Sequence, residues 1–273
     1  MLKKNGKCAK IVLDIILARV LECEWKTMET FHPRRLCRED EDMARIDKGA
    51  LTRREIVAEA TKQFLETGYS KTTIASIARA LEMSTGNLTF HYHTKEHLLA
   101  ELVDMLCDFN WAQMEREADE GFSSVMAVCL ELTAMVGACE DDEIIKDFFI
   151  AAYTSRLSLE AIRKNDAARA KKVFGAYRPD WTEDQFAAAE ILVSGVEYAT
   201  LMIAGHPVPF EMRISSALHN ILGAFGVPEE IRNMKIQKVF AMDYRNIGKQ
   251  ALLDFKQYVA EINDQAFNDL LNR

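Results

Sequence analysis

Between Ser84 and Lys95 the chain concentrates side chains that can bond the polar edges of another molecule: Ser84, Thr85, Gly86, Asn87, Thr89, His91, Tyr92 and Lys95. Small hydroxyls and a carboxamide match the donor and acceptor pattern of a major groove, and a helix starting here would offer free backbone N–H groups to a phosphate. A helix that docks on another protein would show aliphatic anchors instead. His93 and His97 stand four apart, as metal ligands on a helix would, but a histidine pair needs further ligands and none lies nearby in sequence. The six cysteines (Cys8, Cys23, Cys37, Cys107, Cys129, Cys139) form no CxxC pair and suit neither a zinc site nor a small disulfide framework. Reduced thiols in a cytoplasmic protein are expected. There is no GxGxxG or Walker loop, no HExxH and no GxSxG, so neither an enzyme nor a bound metal or cofactor is expected.

The elements that must position these residues are legible over 72–99. Ile74, Ile77, Ala78 and Leu81 fall on one face of a helix. Ser84 can accept a backbone N–H and so cap a second helix over Thr85–His91. Upstream, Thr52-Arg53-Arg54-Glu55 has the form of a capping box opening a helix with Ile56, Ala60, Phe64 and Leu65 inward. Gly68 would end that helix, and Tyr69 would pack beneath the helix-turn-helix.

From Thr72 onward the order resembles the tetracycline-repressor (TetR) family. The matching positions are Thr72-Thr73, Ile77-Ala78, Ser84, Gly86, Leu88, His91-Tyr92, Lys95-Glu96 and Leu98-Leu99, within a stretch of roughly residues 51–99. The resemblance implies a dimeric, ligand-responsive DNA-binding regulator, usually a repressor. Its contacts to double-stranded DNA would be Thr72, Thr73, Ser84, Thr85, Gly86, Asn87, Thr89, His91, Tyr92 and Lys95. Thr85, Asn87 and His91 would face the groove; Thr72, Thr89, Tyr92 and Lys95 would hold the phosphate backbone. Three departures stand out, one of them Phe90, which has no hydroxyl. Glu82 occupies a turn position where the family usually has Gly, and Thr89 replaces a tyrosine that usually reaches a phosphate. A second reading is a helical interaction module or an enzyme with diffuse catalytic residues, whose helix-turn-helix only packs.

The net charge of −8 is uneven. Residues 1–44 carry nine basic and eight acidic side chains and residues 45–98 eight and six, which leaves −11 on the remainder. A mildly basic module joined to a larger acidic one fits a DNA reader on a domain that does not touch DNA. The expected organisation is an extension over 1–44, helical or unstructured, a helix-turn-helix domain over 45–98 and a larger helical domain over 99–273. The extension has signal-like lysines before Ile11–Leu21, but Asp14 and Arg19 interrupt the apolar run and no cleavage site follows. Met28 and Met43 are alternative starts.

No strand alternation is visible, so the fold is expected to be all-α: an N-terminal three-helix domain, then a helical effector-binding and dimerisation domain. A long helix from Thr94 to about Glu120 would join the two. Over Thr182–Ala204 two apolar stripes share one helix, Phe186, Ala189, Val193, Val196, Thr200 and Ile203 on the first, Ile191, Gly195, Tyr198 and Met202 on the second. Only Glu183, Glu190 and Glu197 form a polar strip. A helix apolar on two sides calls for cover on two sides, so a homodimer through 182–204 and 210–225 is expected. A mostly apolar small molecule is expected among Trp111, Leu132, Met135, Phe148, Phe149, Tyr153 and Tyr198, with Glu131 or Glu197 as polar anchor.

Overall fold

The computed structural model describes residues 39–119, 124–203 and 207–271, so the expectations for residues 1–38 lie outside it. Among the described residues the chain forms eleven helices and no strand. The helices are α1 (Glu39–Glu66), α2 (Ile74–Ala80), α3 (Thr85–His91), α4 (Lys95–Asp119), α5 (Ser124–Asp141), α6 (Glu143–Thr154), α7 (Arg156–Phe174), α8 (Glu183–Met202), α9 (Phe210–Ala224), α10 (Glu229–Phe240) and α11 (Tyr244–Leu271). None is long and apolar enough to cross a membrane.

Helix α1 corrects one expectation. It runs unbroken through Thr52, which is therefore an interior residue and no cap. The stretch before it, EDEDMARIDK, has no proline and is rich in good helix formers, so nothing stops the helix from beginning early. The inner face is as expected, with Ile56, Ala60 and Phe64 buried against Ile77 and Ala78 of α2 and Leu88 of α3. Gly68 takes a φ of +101° just beyond the end of α1, a conformation that a side chain disfavours. Tyr69 packs edge-on against Phe64 at 5.1 Å.

Helix α2 begins at Thr73 with a reciprocal capping pair, Thr73 and Ser76 each bonding the other's backbone N–H at 3.0 Å. It ends in a Schellman turn. The Met83 N–H donates to Ala78 O at 2.9 Å and the Glu82 N–H to Arg79 O at 3.2 Å, which puts Glu82 at the left-handed position with φ +52°. The same bond pair closes α9, where Gly226 holds that position at φ +74°. A side chain there costs about 1–2 kcal/mol, against about 0.5–1 kcal/mol for glycine's greater entropy loss. Glu82→Gly is therefore expected to raise stability by up to about 1 kcal/mol in urea unfolding, and Glu82→Val to lower it. A lower midpoint for the glycine variant would show that the turn is not strained.

The second layer is built around α5, whose residues Cys129, Leu132, Thr133, Val136, Ala138 and Cys139 are all buried. It packs along α11; α4 packs along α7, and α7 along α8. Phe174 stacks on Phe225 at 4.3 Å with rings nearly parallel, and Phe186 and Trp181 close the cluster. Full burial of each such ring contributes about 1.5–3 kcal/mol.

The helix-turn-helix is tied to this layer by polar bonds. Asp147 of α6 accepts a bond from the Ser70 backbone N–H at 2.7 Å and another from the Ser70 hydroxyl, so the segment before α2 is held by the same α6 that carries Phe148, Phe149 and Tyr153. Helix α1 is held in turn, Glu66 by Lys256 of α11 at 2.6 Å and Arg53 by Glu101 of α4 at 3.0 Å.

Candidate functional site

Helix α3 stands with its first turn at the surface. Ser84 caps it by accepting the Asn87 N–H at 3.1 Å, while Leu88 anchors the helix in the core. Ser84, Thr85, Gly86 and Asn87 are exposed; Thr89 and His91 are half-exposed, and Thr73 is exposed at the start of α2. The Thr89 hydroxyl donates to Gly86 O at 3.1 Å and stays close to its own helix. These seven carry no carboxylate, lysine or arginine, and the exposed Thr85 and Asn87 can meet the edges of another molecule. Phe90 joins them at 79% exposure. Sequence reasoning did not place Phe90 at this surface; the two-residue offset from buried Leu88 was the available signal.

Three residues expected at this surface are turned inward. The Thr72 hydroxyl is buried and donates to Gly68 O at 2.8 Å. Tyr92 is buried; its hydroxyl donates to Glu101 at 2.7 Å, and its ring lies under the Arg53 guanidinium at 4.9 Å. Burial and the Glu101 hydrogen bond push that hydroxyl's pKa far above its ordinary value, so it stays a donor. Lys95 caps the carbonyls of Tyr69 and Thr72 at 2.9 and 3.0 Å and lies 3.9 Å above the Tyr69 ring. In this structure Thr72 and Tyr92 are buried and Lys95 is half-buried, and their bonds brace the helix-turn-helix instead of presenting free groups to a phosphate. Lys95→Ala is expected to lower unfolding stability by about 1–2 kcal/mol, because two carbonyls lose a charged donor. An unchanged urea midpoint would contradict that bracing role.

The histidines do not converge. His93 Nδ1 sits 3.1 Å from Thr89 O and His97 Nδ1 2.9 Å from the Thr94 hydroxyl, with their rings edge to face. Among the described residues no group of three or more His, Cys, Asp or Glu side chains is placed to hold a metal ion.

A cavity of about 100 Å³ lies inside the second layer, between α4, α5, α6, α7 and α8. Glu131, Leu132, Met135, Phe148, Phe149, Tyr153 and Glu197 line it as expected. Trp111 and Tyr198 do not: Trp111 lies beside the cavity beneath Arg169 and Lys172, and Tyr198 faces elsewhere on α8. The lining is also less apolar than expected, since Asn110, Asp166, Arg169 and Glu190 join it. Arg169 pairs with Glu131 at 2.6 Å and with Asp166 at 3.2 Å, and Asn110 donates to Glu131 at 3.1 Å. The Tyr153 hydroxyl donates to Glu197 at 2.9 Å. Burial, followed by the charge of Asp166, raises the Glu190 pKa to about 8, and burial likewise drives Glu197 well above the ordinary carboxylate range. Asp166 is raised to about 6, burial outweighing its attraction to Arg169. The expected polar strip of α8 thus faces inward at Glu190 and Glu197, and only Glu183 is solvated. The seven-residue spacing of these glutamates was the available signal: it placed Glu190 on one strip with Glu197, the expected anchor, though Glu190 itself was not singled out.

The outer face of α8 is apolar instead. Ile191 is 55% and Leu192 70% exposed, and Ala187, Ala188, Gly195, Ala199 and Met202 are exposed beside them. On α9, Met212 is likewise 63% exposed. From Phe186 to Ile203 no exposed residue is charged.

Residues 56–102 match the family described as "Bacterial regulatory proteins, tetR family". The transcriptional regulator HbdR of Aromatoleum sp. is 30% identical over 112 residues, 41% of this chain and 48% of that protein. The transcriptional regulator QacR of Staphylococcus aureus is 37% identical over 51 residues, 19% of this chain and 27% of that protein. The chain thus spans about half the length of the first of these relatives and about a quarter of the second. The crystal structure of full-length TylP, a TetR regulator from Streptomyces fradiae, aligns over 75% of this chain and 98% of its own at 18% identity with a TM-score of 0.42, too loose a superposition to carry an argument.

Proposed function

We propose that the chain, whose residues 56–102 match the TetR family of bacterial regulatory proteins, is a ligand-responsive transcriptional regulator of that family that binds an inverted-repeat operator as a homodimer in the cytoplasm. The observation that carries the reading is the first turn of α3: Thr85, Gly86 and Asn87 are exposed, capped by Ser84 and free of aliphatic anchors, as a helix entering a major groove requires. In a helical packing module this turn would be covered or apolar. Thr85, Asn87 and His91 contact bases, Gly86 permits close approach, and Thr73, Ser84 and Thr89 position the backbone. Phe90 adds an apolar contact of the kind that thymine methyls accept.

The dimer is assembled through the uncharged outer face of α8 with Met212 of α9, because a contiguous apolar patch of this kind is covered in a stable soluble protein. The effector occupies the cavity among α4–α8. Two elements support a route from cavity to operator. Helix α4 begins next to α3 and lines the cavity with Val103 and Leu106, and α6 lines it with Tyr153 while Asp147 holds Ser70 just before α2. A ligand that favours one arrangement of these helices by a few kcal/mol shifts the population of the DNA-competent form.

Footprinting across the DNA upstream of the chain's own gene tests the reading. A protected segment with dyad symmetry is expected, and Asn87→Ala should change which base is preferred while leaving the fold intact. Asn87→Ala binding every sequence as the parent does would contradict the assignment of base contact to α3.

A further inference from the structure

The cavity contains four carboxyls, Glu131, Asp166, Glu190 and Glu197, and a single guanidinium, that of Arg169. Arg169 is already bonded to Glu131 and Asp166, and Glu197 already receives the Tyr153 hydroxyl. Glu190 differs from the other three. It is only 5% exposed, it lines the cavity, and its carboxyl has no hydrogen-bond or ion-pair partner among the described residues. A buried carboxyl without a partner is unfavourable, and a ligand that supplies a donor there relieves it. The remaining wall is aromatic and aliphatic, including Phe148 and Phe149, whose ring faces favour positive charge.

We propose that the effector is a small organic cation, an amine or amidine, whose charged group docks against the Glu190 carboxyl while its apolar part lies against Phe148 and Phe149. This rests on the reading of the cavity as the effector site and names its ligand class. An anion would meet four carboxyls and a guanidinium already engaged. A neutral donor would satisfy Glu190 but gain nothing from the surrounding negative potential. A metal ion is disfavoured because the carboxyls do not converge on a ligand set.

A protonation linkage follows from the surroundings of Glu190. Asp166 and Arg169 of α7, Glu131 of α5, Glu197 of its own helix, Tyr153 of α6 and Cys107 of α4 share the cavity with it, whereas α9 contributes the apolar Ile221. With its pKa near 8, Glu190 is mostly protonated at neutral pH in the empty cavity. A docking cation favours the carboxylate, so the proton leaves Glu190 for the buffer as the ligand enters, and affinity rises with pH toward 8.

Calorimetry on the full chain, without DNA, tests this with three probes of similar shape: phenethylamine, 2-phenylethanol and phenylacetate. Phenethylamine should bind about tenfold or more tightly than either of the others. It should release protons in a pair of buffers of different ionisation enthalpy, and bind more tightly at about pH 8 than at about pH 6. Glu190→Gln should weaken the amine about tenfold or more and remove most of the pH dependence, with the circular dichroism spectrum unchanged. Equal or tighter binding of the alcohol or the acid would overturn the proposal. So would an undiminished amine affinity in Glu190→Gln, or no amine binding up to about 10 mM. The regulator reading fails separately: an amine that binds as expected but leaves operator affinity unchanged sustains the ligand class and removes its role in control.

Discussion

Replacing Leu192 by glutamate is expected to convert a dimer into a folded monomer and to weaken operator binding by about two orders of magnitude or more. Leu192 is 70% exposed at the middle of α8, between Ala188 and Gly195 and beside Ile191, on a face with no exposed charge from Phe186 to Ile203. In an isologous interface a substitution enters twice, so the glutamate would be desolvated near its own symmetry mate. The core of the subunit is untouched, because the buried stripe of α8, Phe186, Ala189 and Val193, lies on the opposite side. The loss of DNA affinity follows from uncoupling two half-sites, each of which is weak alone. Val196, on the same helix, is a poorer choice because it is half-buried and its replacement would disturb the subunit itself. Light scattering and fluorescence anisotropy on the variant check both halves. A variant that remains dimeric would place the interface elsewhere.

The second large effect concerns Glu190 and pH. Its carboxyl pKa is raised from an ordinary value of 4.5 to about 8, chiefly by burial and then by Asp166. A raised carboxyl pKa means that the folded state holds the proton more tightly than the unfolded state. Stability is then fully present below about pH 4.5 and is lost progressively as pH rises toward about 8. Glu190→Gln, which keeps the shape and removes the titration, is expected to match the parent near pH 5 within about 1 kcal/mol. Near pH 8 it should be more stable by roughly 2–4 kcal/mol. Asp166 and Glu197 titrate in the same cavity, so the difference between the two proteins is the informative quantity. Urea unfolding at both pH values measures it. A constant difference across the range would mean that Glu190 is ionised and accommodated in the fold.

What the sequence disclosed follows the range of the forces involved. The cap at Ser84 and the left-handed glycine at Gly68 depend on neighbours within a few residues, and both were legible. So was the exposed turn Thr85–Asn87. The inward turn of Tyr92 and Lys95 was not legible, because their partners Glu101, Arg53 and Tyr69 are distant in sequence or lie on other helices. Thr72 is the exception: its partner is the Gly68 carbonyl four residues back, a local hydroxyl-to-backbone bond that the sequence permitted. The cavity was half-legible. Much of its apolar wall was named in advance, whereas nothing in the sequence singled out Asp166 and Arg169, whose partner Glu131 lies on α5, distant in sequence. Periodicity located the polar positions of α8 but could not say whether a glutamate faced solvent or an acidic interior.

The account stands or falls on sequence-specific, two-fold DNA recognition by α3. Selection of binding sites from random duplex DNA by the full-length protein measures this directly. The expected result is enrichment of an inverted repeat whose half-sites are centred about one helical turn, roughly 34–36 Å, or a multiple of it apart, with enrichment altered at one base position by Asn87→Ala. Recovery of no consensus, or of a single asymmetric site bound equally by the Leu192→Glu monomer, would contradict it.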